Sequence, residues 1–429
     1  MCSPIAFWSN YLKLQPCFLG LSKHNTVNTD LIGLHWNFIW NNPSFALLYE
    51  QQLLYKLSGR HFSTPIIHEY MIIRLISTIF SFALVSFSLY GQEANTIFDE
   101  FYGEEVLEIK LETDLSALID DRQSDDYQHA ILTFTNKEGG VEMHDLKIKP
   151  RGKFRRRVCD FPPIKLNFSK DRLMERGYVA EYDKLKLVTH CLDDKSVSKE
   201  NVAKEYLAYR LYNELTEKSY RTQLVRINYV DSKGRISRIK RYGVILEETD
   251  EMAHRAGGKE CEECRGLPAS EFDTQVANTM AVFQYMIGNS DYDMDMMRNL
   301  KMVRPYLGGG VIPVPYDFDF AGLVNPSYAI PNSDYGLVSV KQRVFLGHKV
   351  DSAVLSNTLD RFLERRSAME AVVENAPLLN RNERNNIIRY LDTFYAEVDS
   401  IMRGAPEQQT LRLQALREVS SEAGTQVGK

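Results

Sequence analysis

The sequence predicts an α+β fold, β-rich in its first half and helical in its second, and three observations carry that reading. Short β-prone runs bounded by polar or glycine turns recur between residues 105 and 247. One helix-period stretch interrupts them, with Ala203, Leu207, Leu211 and Leu215 recurring every four residues. After residue 270 the pattern turns helical, over 273–286 and again over 352–401.

The strands come first. Val106–Leu111, Ala130–Phe134 and Asp145–Lys149 are separated by turns such as Gly139-Gly140. They lead into Arg151–Arg157, where five of seven residues are basic, either a phosphate-facing turn or a solvated loop. In Ile164-Lys165-Leu166-Asn167-Phe168, alternation puts Lys165 and Asn167 on the face opposite three apolar side chains. Leu185–Val188 is a further strand. Ser198 is a candidate N-cap for a helix to about Glu217, with Glu200, Glu205 and Glu214 off its apolar stripe. Leu224–Tyr229 and Tyr242–Glu247 complete the strands, and residues 250–270, polar and cysteine-bearing, read as an insertion or lid.

Two acidic segments carry the chemistry. Val311–Gly322 runs apolar and proline-rich into Asp317 and Asp319, which a strand would point to one face. Two like charges there need a cation or a basic group between them, so the segment is a metal-site candidate; a solvated strand end is the plain alternative. Upstream, Asp291, Asp293 and Asp295 open like a calcium loop. That reading fails because Met296 stands where glycine is required and Met302 where a bidentate glutamate belongs.

The 429 residues suffice for two or three domains, and a net charge of −5 gives no electrostatic case for nucleic acid as a partner. Residues 1–70 differ from the rest: they hold all three tryptophans and only three of the 57 acidic residues. At Met71 a basic residue, Arg74, precedes an uncharged run from Leu75 to Tyr90 and then Gly91-Gln92-Glu93-Ala94, the pattern of a secretory signal. Translation from Met71 is therefore expected, with 1–70 an unstructured upstream extension and 71–91 a signal peptide or signal anchor. The body beyond Gln92 is then exported: periplasmic, at the cell surface or secreted. Its four cysteines fit two disulfides, Cys159–Cys191 and Cys261–Cys264 by proximity. Zinc is the alternative, with His254 beside Cys261 and Cys264, but three ligands fall short of the usual four.

In this order the motifs resemble those of the CotH-type kinases, a kinase-like family first associated with spore coats, and more distantly the secretory-pathway atypical kinases. Arg151-Gly152 followed by Pro163–Phe168 is similar to that family's basic strand pair, and the helix bearing Glu205 sits where the kinase-like fold has its regulatory helix. Gly288-Asn289-Ser290-Asp291 with Arg298-Asn299 is similar to its catalytic segment, and Pro315–Gly322 to its metal segment. The likeness covers roughly 105–350, although no glycine-rich phosphate loop of the usual type is present.

The resemblance implies a two-lobed fold: a β-rich lobe over 92–248, the insertion over 249–270, a helical lobe over 271–403 and a polar tail over 404–429. It implies a metal-dependent phosphotransferase using ATP or another nucleotide with Mg²⁺ or Mn²⁺. Lys165 would contact phosphates and pair with Glu205, Arg151 would lie near the phosphates, and Glu247 near the adenine. Asp291 would orient or deprotonate the acceptor, and Asn299 with Asp317 or Asp319 would hold the metal. An exported protein or surface glycan would be the acceptor, and any membrane contact would come through the signal segment alone. Two other functions fit the same residues: a catalytically inactive kinase-like binding module, and a hydrolase of surface polymers using Asp291 with Asp317 or Asp319 as a carboxylate pair.

Overall fold

Alternation of buried and exposed side chains shapes the first half of the protein. The computed structural model describes residues 95–403, so the expected extension, signal segment and tail lie outside the described residues. Five strands bury every second side chain through most of their length: β1 (Leu107–Thr113), β2 (Gln128–Thr135), β3 (Val141–Pro150), β4 (Ile164–Phe168) and β5 (Lys184–Val188). With β6 (Thr222–Asp231) and β7 (Ile239–Leu246) they make a closed seven-stranded barrel in the order β1-β2-β3-β4-β5-β7-β6. β1 closes it, pairing antiparallel with β2 and parallel with β6. Closure leaves the sheet no unpaired edge. The sequence pattern gives the strands but not this closure, because the β1–β6 pairing joins residues more than a hundred positions apart.

Inward-facing Leu111, Leu132, Ile148, Leu166 and Ile245 fill the barrel as one apolar core. The opposite faces of β3, β4 and β5 carry a row of cations, Lys149 opposite Lys165 and Lys165 opposite Lys186. Four short helices decorate this half: α1 (Ile97–Phe101), α2 (Leu115–Asp120), α3 (Arg155–Val158) and α4 (Lys170–Glu175).

The long helix α5 (Lys195–Asn213) lies on the outside of β6 and β7. It starts three residues before the expected Ser198. Asp194 caps it, its carboxylate accepting from the Ser196 and Val197 amides at 2.8 Å, which leaves Ser198 inside the helix. The helix also ends earlier than expected, before the buried Leu215.

The second half has its own core, in which Tyr212 of α5 meets Phe283 and Phe283 meets Phe318. It contains α6 (Thr249–Arg255), β8 (Gly258–Glu260), α7 (Thr274–Met286), β9 (Leu300–Pro305), β10 (Ile312–Pro315), α8 (Ser352–Glu374) and α9 (Arg381–Met402). β8, β9 and β10 form a small antiparallel sheet. The segment read as an insertion is structured: α6 buries Met252 and Ala253, and β8 pairs with β9. Gly258 has a reason to be glycine, since a Cβ there would run into the Arg304 carbonyl.

Both expected disulfides are present, Cys159–Cys191 and Cys261–Cys264. The zinc alternative falls, because both sulfurs beside His254 are bonded to each other. Disulfides fit a non-reducing, extracytoplasmic setting. Among the described residues no helix is long and apolar enough to cross a membrane.

Candidate active site

The β9–β10 hairpin builds one wall of the candidate site. Leu300 pairs with Pro315, and the next residues out are joined as well, the Tyr316 amide donating to the Asn299 carbonyl at 3.1 Å. Asn299 thereby stands opposite Tyr316, the residue before Asp317. Asp317 has a φ of +62°, a left-handed conformation uncommon outside glycine, though Asp and Asn adopt it more readily than other residues. The Tyr209 hydroxyl of α5 accepts from the Asp317 amide at 2.9 Å.

Asp291 stands in the loop after α7 and is held from two sides. The Asn299 Nδ2 donates to its Oδ2 at 2.9 Å and to its carbonyl at 2.6 Å. Asn289, fully buried, accepts from the Asp291 amide at 3.0 Å and donates to Gln284. The loop is bolted to the Asp317 segment by two main-chain bonds, Gly322 to Gly288 and Leu323 to Ile287, each 3.0 Å. Gly288 has a φ of +66°, and a Cβ there would strike the Tyr390 hydroxyl.

Between this wall and α5 lies a buried charge cluster around Arg155. Its Nε reaches Asp319 at 2.8 Å, and its Nη2 reaches Glu205 at 2.7 Å and Asp317 at 3.5 Å. One guanidinium facing three carboxylates leaves a net charge of −2 when all are ionised. Burial therefore outweighs the guanidinium and pushes the Asp319 carboxyl up to about 7, with Asp317 and Glu205 adding repulsion. Glu205 is also raised by burial, and its Oε1 has no hydrogen-bond partner among the described residues. Asp291 is raised by burial against the opposing pull of Arg298, and the charge of Asp317 raises it further. The cluster is short of positive charge.

Cations gather on the barrel side. Lys186 is half-buried between the rings of Tyr220 and Tyr316, 4.9 and 5.1 Å from their centroids. It donates to Thr249 Oγ1 at 2.6 Å and to the Tyr220 hydroxyl at 3.2 Å, both neutral. Among the described residues no carboxylate lies within ion-pair distance of it. Burial, with the like charges of Arg151 and Lys301, brings its ammonium down to about 7. Lys165 is lowered too, by burial first and then by Lys184 and Lys149. Like charges directly opposite across strands destabilise a sheet, so this ladder suits an anion lying over it.

The expected residues are thus distributed in three ways. Asp317, Asp319 and Glu205 meet around Arg155, and Asp291, bonded to Asn299, lies within the field of Asp317. Lys165 lies in the cation ladder and Arg151 adds its field there, but the partner of Glu205 is Arg155, not Lys165. Glu247 is taken out of any ligand's reach: it is fully buried and bound by Arg221 at 2.9 Å and by Arg255. Two guanidiniums occupy its carboxylate, so it is a strut between β7 and its surroundings and not an adenine contact. Sequence reasoning missed Lys186, Arg155 and Tyr209. Tyr209 had a signal, four residues after Glu205 and so on the same helix face. Arg155 was one of five basic residues in a stretch of seven, with nothing to single it out.

The donor set fits a metal only in part. Asp317 is the open carboxylate, its side chain 34 % exposed. Asn299 spends its Nδ2 on Asp291 and keeps Oδ1 available. Asp319 is occupied by Arg155, which argues for Asp317 as the ligand of the two. Among the described residues no group of three or more histidine, cysteine or acidic side chains could hold a metal alone. Mg²⁺ commonly takes one or two carboxylates, waters and substrate phosphates, so Asp317 and Asn299 would suffice once phosphates supply the rest.

No family model matches the chain, and no curated protein matches it. Among solved structures the chain is similar to a proinflammatory kinase of Helicobacter pylori, CtkA, at 11% identity and a TM-score of 0.34. The match covers 59% of this chain and 95% of that one. A likeness this distant carries no weight for the chemistry, which rests on the residues above.

Proposed function

We propose that this protein is a metal-dependent phosphotransferase with a kinase-like arrangement of lobes, of the CotH type, acting outside the cytoplasm on an exported protein or a surface glycan. The observation that carries the reading is an acidic group, Asp291 bonded to Asn299 and within the field of Asp317, next to a cation ladder whose Lys186 lies over the Tyr316 ring. Phosphoryl transfer asks for these two neighbours: cations along the phosphates and carboxylates where metal and acceptor meet.

In this reading Lys165, Lys186 and Arg151 bind the phosphates of ATP or another nucleotide. A bound Mg²⁺ or Mn²⁺ would neutralise charge developing on the phosphoryl oxygens. Asp317 and Asn299 are the residues that would hold it. Asp291, oriented by Asn299 and Asn289, receives or orients the proton of the acceptor hydroxyl. Its raised affinity for protons suits that role. Arg155 positions Glu205 and Asp319 and keeps water from their buried charge.

The test is transfer from labelled ATP with Mn²⁺ to the protein itself and to water, comparing the wild type with Asp291→Asn. Loss of a proton acceptor of this kind costs roughly 10²–10⁴-fold in rate. Equal rates for the two proteins would remove Asp291 from the chemistry.

One observation favours a second reading, a catalytically silent kinase-like binding module. Arg155 already spans Glu205, Asp319 and Asp317, and so supplies a positive charge where a metal would bring one. That reading expects nucleotide binding without any turnover in the same experiment.

A further inference from the structure

Away from the candidate site, the first turns of α5 and the outer face of the β6–β7 hairpin line an open pocket of about 350 Å³. Lys195 and Lys199 of α5, Arg226 of β6, and Lys240 and Arg241 of β7 line it, and no carboxylate does. It shares no residue with the candidate site.

The charges there are largely unanswered. Arg226 pairs with Glu108 at 2.8 Å, and Arg241 donates only to main-chain carbonyls, of Lys240 and Asp193. The three lysines have no ion-pair partner among the described residues. The nearest helix carboxylate, Asp194, is turned onto the Ser196 and Val197 amides.

Buried polar atoms add an independent observation. Ser198 lines the pocket and is 2 % exposed, yet its Oγ has no hydrogen-bond partner among the described residues. The Nε of Arg241 is buried and without an acceptor as well. Leaving such groups unsatisfied is costly, which marks this wall of the pocket as short of acceptors. Ammonium and guanidinium donors with no carboxylate among them are the set that recognises an oxyanion.

We propose that this pocket binds a phosphoryl group, as free phosphate or at the end of a small phosphate monoester. The proposal does not depend on the chemistry assigned to the candidate site. Titration calorimetry on the full chain, without metal, uses inorganic phosphate in one arm and glycerol 3-phosphate in the other. The wild type binds at least one of them. Affinity falls at least tenfold in the double variant Lys199→Glu, Lys240→Glu. Equal affinities would mean that the pocket reads the phosphoryl group alone, and tighter binding of the ester that it also reads what is attached. The milder pair Lys199→Gln, Lys240→Gln carries the same expectation should charge reversal unfold the protein. No binding of either ligand overturns the proposal, and so does binding that the pocket variants leave intact.

Discussion

Lys186 shows how a single residue can announce a ligand. Its ammonium lies among tyrosine rings and hydroxyls with no carboxylate partner, and burial has brought it down to about 7. In the free protein it loses its proton as pH rises through about 7, whereas in the unfolded chain it keeps it to about 10.4. The unfolded state then binds more protons across that window. This group's contribution to stability is therefore flat below pH 7 and rises with pH above it. An anion over Lys186 reverses the preference by favouring the charged form. Nucleotide binding at pH 8 is expected to take up a proton and to weaken by up to about tenfold per pH unit above 7. Calorimetry in buffers of different ionisation enthalpy reads the uptake directly, and Lys186→Met should abolish it. Proton release, or no exchange at all, would remove Lys186 from the nucleotide site.

At the scale of elements, the structure divides into what a local pattern dictates and what only pairing decides. β4 was legible to the residue, since Ile164, Leu166 and Phe168 alternate with Lys165 and Asn167. The Asp291, Asn299 and Asp317 segments were legible as acidic motifs. Their juxtaposition was not, because it depends on the β9–β10 register and on Asp317 adopting a left-handed backbone. Lys186 was invisible for a similar reason: Leu185–Val188 reads as an ordinary strand until its register sets Lys186 beside Lys165. The start of α5 was misplaced because Asp194, as good a cap as Ser198, lies just upstream. The Cys159–Cys191 bridge joins the end of α3 to the segment after β5 and so fixes Arg155 relative to the barrel. It closes a loop of 32 residues, for which chain entropy gives ~2–4 kcal/mol. The pair Cys159→Ser, Cys191→Ser should lose that much in denaturant unfolding, and unchanged stability would mean that the bridge does not form.

Over the described residues a closed β-barrel lies against a helical half, with charged residues set where the two meet. The barrel contributes lysines, the β9–β10 hairpin and the α7 loop contribute carboxylates, and α5 touches both through Glu205 and Tyr209. Such a division makes sense for a ligand that is anionic at one end and joined to a cation at the other. The most direct measurement is the melting temperature of the full chain with and without ATP plus Mn²⁺, beside Asp317→Asn, which tolerates the left-handed backbone but removes the charge. A ligand at ~100 times its dissociation constant adds ~2.7 kcal/mol, a shift of several degrees. The account predicts that shift in the wild type and its loss in Asp317→Asn. A cooperative melt that nucleotide and metal leave unmoved would contradict it.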